Sequence, residues 1–374
     1  MKILIIAGFA DSIIKFRGDL ILRLLEQGFE VHVACPHINA TSDVLAGLHK
    51  MSVKTHQIPL DRAGLNPLGD ILTLIALIFL INRVKPSHVL SYTIKPVIYG
   101  SFASWINRVP NRFAMITGLG NAFVANRKSS FVGWLIKFLY KRAMFCLHLL
   151  FLQNPDDKKI LNTQNIIPFK LQAVVVNGSG VNLDSFPLVP PVQSPIKFLF
   201  IARLLGDKGI RQFVEAAYRL RAMVSVVEFH VVGWIDDNSD SITPAELEQW
   251  CKDGVINYHG RLSDVRPVLA DSSVFVLPSF YPEGTPRTIL EALSMGRPVI
   301  TTDMPGCRET VVDGENGYLI EARDSESLLK AMLQFIENPG LISSMGQCSR
   351  EIAERKYDVH KVNEQMLFSM GLIK

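Results

Sequence analysis

The sequence predicts an α/β protein made of two doubly wound parallel-sheet domains that face a central cleft. Three observations carry that expectation. Short apolar runs alternate with longer helical patterns along the whole chain, a proline-rich stretch interrupts them near the middle, and 374 residues suffice for two cores of ordinary size.

In chain order, Ile3–Ala7 reads as the first buried strand. It breaks at Gly8 and meets Asp11, which does not fit a secretory signal. Val31–Ala34, His88–Leu90, Leu149–Leu152 and Val174–Val176 continue the series in the first half. Phe198–Ile201, Glu228–Val232, Ile256–His259, Val274–Leu277 and Val299–Thr301 repeat it in the second. Short apolar runs separated by helix-length segments imply parallel strands covered by helices on both sides.

The stretch from Phe186 to Pro195 carries four prolines in ten residues, which neither a helix nor a central strand tolerates. It divides the chain into a first domain, residues 1–186, a linker, 187–195, and a second domain, 196–352. Residues 353–374 are expected to form a terminal helix able to return and brace the first domain. Ligands of such sheets bind beyond the carboxyl ends of the strands, which places the site in the cleft.

Composition narrows the classes. With 48% apolar and 20% charged residues the chain is globular rather than disordered. Its five scattered cysteines, odd in number and without a Cys-x-x-Cys pair, point to a reducing compartment and against a structural metal. The longest apolar run, Ile71–Ile81, is shorter than the roughly 20 residues that span a bilayer. A soluble or peripheral protein is expected. Charge is unevenly shared: residues 1–190 carry 20 Lys and Arg against 10 Asp and Glu, a net of +10, and the rest 19 against 25, a net of −6, in keeping with +4 overall. The two halves should meet different partners.

Glu283 and Glu291 are the most informative pair. Val274–Leu277 reads as a strand, so Glu283 falls in a strand-to-helix turn and Glu291 about two turns into the helix. Positions eight apart lie about 80° apart around a helix and roughly 12 Å along it. The backbone N–H groups of Gly284, Thr285 and Arg287 are expected at the helix N-terminus, where the macrodipole favours an anion. Pro286, without an N–H, suits the first turn. A ligand with hydroxyls at both ends and a phosphate between them fits, and a nucleotide sugar is such a molecule. Solvated glutamates remain the bland alternative.

Phe198 to Ile210 reads as strand, loop and helix. Arg203 leaves the strand's carboxyl end and Lys208 stands between Gly206 and Gly209, so both can meet a diphosphate, Arg with two prongs and Lys as a point charge. Two solvated surface cations would look the same. The acidic stretch Asp236-Asp237-Asn238-Ser239-Asp240 reads as a solvated loop. Neither a Walker loop nor a complete Gly-x-Gly-x-x-Gly turn occurs, and there is no Gly-x-Ser-x-Gly elbow or His-Glu-x-x-His helix.

Together, the Arg203/Lys208 loop and the Glu283/Glu291 pair resemble the retaining family-4 glycosyltransferases of the GT-B fold, two Rossmann-like domains, over nearly the whole chain. More narrowly, the chain is similar to the bacterial capsule and O-antigen branch, in which a nucleotide sugar extends a glycan on a lipid diphosphate. That likeness rests on Pro59 to Pro67, Thr93-Ile94-Lys95-Pro96, Thr117-Gly118-Leu119-Gly120, Gly178-Ser179-Gly180-Val181, Pro278 to Gly284, Glu291 to Val299 and Pro305 to Glu309.

The resemblance implies that Arg203 and Lys208 hold the diphosphate, Glu283 contacts donor-sugar hydroxyls and Glu291 accepts hydrogen bonds from the ribose. Gly260, Arg261 and Leu262 would lie near the base, and Glu309 would support structure. A UDP-sugar is the implied co-substrate, with GDP as the alternative, and no metal or other cofactor is expected. The donor sugar is a hexose or N-acetylhexosamine, and the acceptor a polyprenyl-diphosphate-linked glycan. Two departures stand out. Thr117 occupies the place of a His found in many members, and Asn182 that of an Asp.

Retaining chemistry without an evident protein nucleophile implies a same-face displacement, in which the acceptor hydroxyl attacks from the side the diphosphate leaves and the departing oxygen takes the proton. The protein then stabilises charge and fixes geometry. Lys95 and Thr117 follow first-domain strands and are the acceptor-side candidates. Arg127–Arg142 reads as a basic, aromatic-rich helix that suits an anionic bilayer surface, and equally an ordinary packed helix with a solvated basic edge. The expected location is cytoplasmic, at the inner face of the cytoplasmic membrane, and the basic half has no nucleic-acid motif beside it. Two rivals stay open: a nucleotide-sugar epimerase of the same fold and a non-catalytic nucleotide-sugar or glycan-binding protein.

Overall fold

The computed structural model describes residues 1–61, 66–120, 131–236 and 238–373. Arg62 to Leu65, the first residues of the basic helix segment (Arg127 to Ser130) and Asp237 therefore lie outside the described residues. The chain divides into two compact units, one of Met1–Gly180 with Val359–Lys374 and one of Val181–Asp358.

The first unit is built on a seven-stranded sheet. Its strands are β1 (Lys2–Ile6), β2 (Glu30–Cys35), β3 (Lys54–Gln57), β4 (His88–Tyr92), β5 (Asn111–Ile116), β6 (Leu149–Leu152) and β7 (Gln172–Val175). All pairs are parallel, in the order β3-β2-β1-β4-β5-β6-β7, which reverses between β1 and β4. Alternate side chains serve opposite faces, as strand geometry requires. Ile3, Ile5, Leu90, Met115 and Phe151 join one core with α1 (Asp11–Glu26), α2 (Ser42–Lys50) and the final helix, Val359–Ser369. Leu4, Ile6, Val89, Ala114 and Leu150 serve the other face, under α3 (Pro67–Val84), α4 (Ile94–Ile106), α5 (Phe131–Met144) and α6 (Pro155–Thr163).

Polar sequence hides one strand. β3 is Lys-Thr-His-Gln at the sheet edge, without apolar residues, and it holds through its ladder to β2 and through His56, which is hydrogen-bonded to His32 at 2.9 Å. The apolar run expected to be too short for a bilayer belongs to the longer α3, whose 18 residues pass the length and composition of a membrane span. Asn66 caps it by accepting from the Gly69 N–H at 3.2 Å, and Pro67 opens it.

The second unit has six parallel strands, β8 (Ile196–Ile201), β9 (Val227–Val232), β10 (Asn257–Tyr258), β11 (Val274–Leu277), β12 (Val299–Thr302) and β13 (Gly317–Ile320). Their order is β10-β9-β8-β11-β12-β13, again reversing beside the first strand. Helices α7 (Ile210–Met223), α8 (Pro244–Lys252), α9 (Arg266–Ala270), α10 (Arg287–Ser294), α11 (Ser325–Glu337) and α12 (Gly340–Ile352) link and cover the strands. The division between units falls at Gly180/Val181, ahead of the proline-rich stretch expected to carry it. That stretch packs onto the second unit: the N–H of Val189 donates to Met295 and that of Val192 to Ser272, at 3.4 and 3.3 Å. The return to the first unit starts at Val359, after α12 and a short π-helical turn, Ala353–Tyr357, that stays with the second.

Candidate active site

In the second unit the chain leaves β8 and β11, the neighbours at which strand order reverses, toward opposite sides of the sheet. The crevice so opened is where doubly wound sheets take ligands. Arg203 and Lys208 lie on the loop after β8, and Glu283 on the loop after β11. Fold topology thus brings together residues that are 75 positions apart.

The two loops are fastened to each other. Phe280 N–H donates to the Asp207 carbonyl at 2.8 Å, and Thr302 Oγ1 donates to the Ser279 carbonyl, tying in β12. Lys208 Nζ donates to Glu283 Oε2 at 2.5 Å, and Ser279 Oγ donates to Oε1 of the same carboxylate at 2.9 Å. The ammonium also stands 5.2 Å from the Tyr281 ring centroid, and Lys208 is only 8% exposed. Gly209 (φ +79°) makes this approach feasible, since a Cβ there would fall 2.2 Å from the Pro278 carbonyl oxygen.

Arg203 Nη1 donates to Asp236 Oδ2 at 2.5 Å. Asp240 accepts from the Asp207 N–H through its side chain at 2.5 Å and from the Gly206 N–H through its carbonyl at 2.8 Å. Asp236 and Asp240 thus clamp the Arg203/Lys208 loop, while Asn238 and Ser239 between them are exposed, as the acidity of the stretch suggests. Asp236 and Asp240 supply the acceptors and the β8 loop the donors, while Asn238 accepts from the Asp240 N–H at 3.0 Å. Asp236 and Asp240 are site residues that the sequence reading passed over.

The helix geometry assumed for the two glutamates does not hold. Pro286 is the N-cap of α10, with φ −62° and ψ 119°, so Gly284 and Thr285 stand outside the helix and Arg287 begins it. The proline ring fixes φ but leaves ψ extended, which delays the helix by a residue. Glu291 lies in the second turn, and Glu283 is outside the helix altogether. Arg287 Nε donates to Glu291 Oε1 at 3.1 Å, both side chains being largely covered. Beneath them Gly306 (φ +88°) lies on the Gly284 carbonyl, 1.9 Å from where its Cβ would be. Glu309 accepts from the Gly306 N–H at 2.7 Å and so stiffens that turn. Burial, with the Glu283 charge adding to it, pushes the neighbouring Cys307 thiol up to about 12.

Farther along the same edge, the Gly260 carbonyl accepts from the Gly233 N–H at 2.9 Å, and the Arg261 guanidinium lies 4.6 Å from the Trp234 ring centroid. Leu262 packs partly against the core. In the first unit Lys95, in the first turn of α4, donates to Asp70 Oδ1 at 2.8 Å, and Thr117 follows β5 half-buried. The same unit buries a cation the sequence reading missed: Arg17 is 1% exposed, with Nη2 2.6 Å from Met115 Sδ and its guanidinium 5.3 Å from the Tyr92 ring centroid. Its position on the apolar stripe of α1, between Ile13 and Ile21, was the available signal. Among the described residues no group of three or more His, Cys, Asp or Glu is arranged to hold a metal ion.

Two parallel sheets whose order reverses beside the first strand, one with a cation-bearing loop against a carboxylate-bearing one, have the GT-B architecture. Residues 2–152 match the family described as glycosyl transferase 4-like, and residues 195–338 that of glycosyl transferases group 1. The chain belongs to these glycosyltransferases. It is 26% identical, over 98% of its length and 97% of the relative's, to the N,N'-diacetylbacillosaminyl-diphospho-undecaprenol alpha-1,3-N-acetylgalactosaminyltransferase of Campylobacter jejuni. It is 24% identical, over 91% and 89%, to the UDP-Gal:alpha-D-GlcNAc-diphosphoundecaprenol alpha-1,3-galactosyltransferase of Escherichia coli. HepE of Anabaena, solved in complex with UDP-glucose, has the same fold, with a TM-score of 0.78 at 18% identity and all of both chains covered.

Proposed function

We propose that the protein transfers a hexose or N-acetylhexosamine, with retention, from a UDP-sugar to a polyprenyl-diphosphate-linked glycan at a membrane surface, in bacterial surface polysaccharide synthesis. The observation that carries this reading is the pairing of Lys208 with Glu283 at the switch point of the second sheet, with Arg203 on the same β8 loop. The two relatives' names support the finer detail. One uses UDP-galactose, both act on an undecaprenyl-diphosphate-linked sugar, and both form an α linkage. Hexoses of that kind are α-linked to their nucleotide, so an α product means retention.

In this reading the donor diphosphate displaces carboxylates from cations. Arg203 exchanges Asp236, and Lys208 exchanges Glu283, for phosphate oxygens. Glu283, released, accepts hydrogen bonds from sugar hydroxyls, and Glu291 from the ribose. Arg261 on Trp234, with the backbone of Gly260 and Leu262, borders the base. The N–H groups ahead of and within the first turn of α10, from Gly284, Thr285 and Arg287, add partial positive charge. Negative charge that develops on the leaving diphosphate is met by groups already in position, the largest kind of catalytic contribution a fixed site makes. Lys95 and Thr117 serve the acceptor side, and the basic, aromatic α5 meets the membrane. The reaction draws its positive charge from Arg203 and Lys208.

The test is incubation of purified protein with bacterial membranes and a panel of radiolabelled UDP- and GDP-sugars. Label from one UDP-sugar should pass into the organic phase as UDP appears in the aqueous one. Conversion of a nucleotide sugar into its isomer, with no label in lipid, would overturn the proposal in favour of an epimerase.

A further inference from the structure

α3 presents outward what a core helix hides. Leu68, Ile71, Leu72, Ile75 and Phe79 are all exposed, from 43% at Ile75 to 74% at Leu68, and their spacing sets them on one side of the helix. The mean hydropathy of the helix is 1.8, yet only 22% of it is buried. What is buried is the opposite side, where Leu77 and Ile81 pack with Leu4, Ile6 and Val89 of the sheet. The helix is thus one wall of the unit and lies along its surface. α4 packs against both α3 and α5; α4 adds the exposed Trp105 and α5 the exposed Trp134, which is stacked on Phe138 at 5.6 Å.

The sequence that contributes to this surface is basic, and Asp70, in the first turn of α3, is paired with Lys95 at 2.8 Å. From Ile71 to Pro155 there is no Asp or Glu, while Lys and Arg occur ten times, five up to Arg112 and five from Arg127 to Arg142. A long apolar stripe beside unbalanced cations matches one kind of partner, an interface that is apolar inside and anionic outside. A second copy of the chain would meet the stripe in self-complementary fashion and would bring like charges together.

We infer that α3 is an interfacial docking helix, which seats the first unit on an anionic lipid bilayer with Leu68, Ile71, Leu72, Ile75 and Phe79 in the acyl boundary. This rests on the proposed lipid-linked acceptor for its purpose, since an enzyme held flat on the bilayer meets a headgroup-anchored substrate without extracting it. Tryptophans at the rim occupy the headgroup level, where amphipathic rings are favoured.

The experiment is flotation of the full chain with vesicles of phosphatidylcholine, with and without phosphatidylglycerol, for wild type and Leu72→Ser/Phe79→Ser. Both residues are exposed, and unchanged UDP binding by calorimetry serves as the control for folding. Wild type should float with the anionic vesicles, and the double variant should lose about a hundredfold in partition coefficient. The variant should keep its rate on a water-soluble short-chain acceptor and lose it on acceptor embedded in vesicles. Equal flotation of variant and wild type would overturn the inference, and so would a wild-type dimer that the variant dissociates without change in flotation. Lack of transfer by wild type on either acceptor would sink the proposed function instead, and leaves the flotation result to stand by itself.

Discussion

Lys208 is almost entirely covered, held between the Glu283 carboxylate and the Tyr281 ring. A charge-assisted contact to a phosphate is worth about 1.5–3 kcal/mol, so Lys208→Ala should lower kcat/KM by roughly ten- to a hundredfold, measured with saturating acceptor. Lys208→Arg should fail to restore it, because a planar fork does not fit the space closed by Gly209 over Pro278. Cys307 makes a different kind of prediction. With its value raised above the ordinary 9.0 toward about 12, the folded state keeps the thiol neutral. The contribution is complete below pH 9.0 and fades as pH rises from there toward about 12, since the unfolded chain ionises first. Alkylation in mildly alkaline buffer should therefore label the exposed Cys251 and spare Cys307 until denaturant is added. Residue types at the site were legible in the sequence, and their partners were not. Nothing local announces that Arg203 meets Asp236, because that pairing follows from sheet order, whereas Arg287 and Glu291, four apart on α10, form a pair that helical spacing allows.

At the scale of elements, apolar period found most strands to within a residue or two, edge strands β7 and β10 among them, and missed the interior β5 and the edges β3 and β13. β3 has no apolar residues, and β13 opens with Gly317 at a positive φ of 154°, which side chains rarely adopt, pressed on the Val299 backbone. Edge strands are specified by what they pair with, which a local pattern does not contain. α3 was legible as apolar, but which of its sides is covered was not. The β3 edge also carries a pH dependence. Burial holds His56 at about 4 and lowers His32 from the ordinary 6.5. Depressed histidine values mean that both stay neutral when folded, so their stabilisation is complete above pH 6.5 and is lost as pH falls from 6.5 toward 4. The urea midpoint of the first unit should fall over that window, and His56→Gln should flatten the fall. For the loops, Gly209→Ala places a Cβ against the Pro278 carbonyl at positive φ, and should cost more than about 1 kcal/mol along with UDP affinity. A variant with unchanged melting temperature and affinity would show that the two loops need no such close approach.

On the scale of the whole molecule, the proline-rich stretch signalled that a division exists and misplaced it. Prolines mark chain that is neither helix nor central strand, and such chain is free to pack onto one unit, as Val189 and Val192 do. The return of the final helix was likewise foreseeable only as an option, since amphipathicity names a buried face and not its partner. Val362, Met366 and Leu367 bury that face in the first unit. Truncation after Asp358 should remove roughly 5 kcal/mol or more of apolar burial, a large part of a domain's stability. Calorimetry should show the first unit's transition lowered and the second unit's kept in place. A single unshifted transition would refute the separate contribution.

That returning helix also sets a schedule for synthesis. As the nascent chain leaves the ribosome, the domain begun first lacks one wall of its core until residues 359–374 have been made, whereas residues 181–358 emerge as a complete unit beforehand. A late stop codon that spares every residue proposed for chemistry would still release a chain whose opening domain has no finished interior. Quality control would then meet it as an unfolded protein rather than as an inactive enzyme.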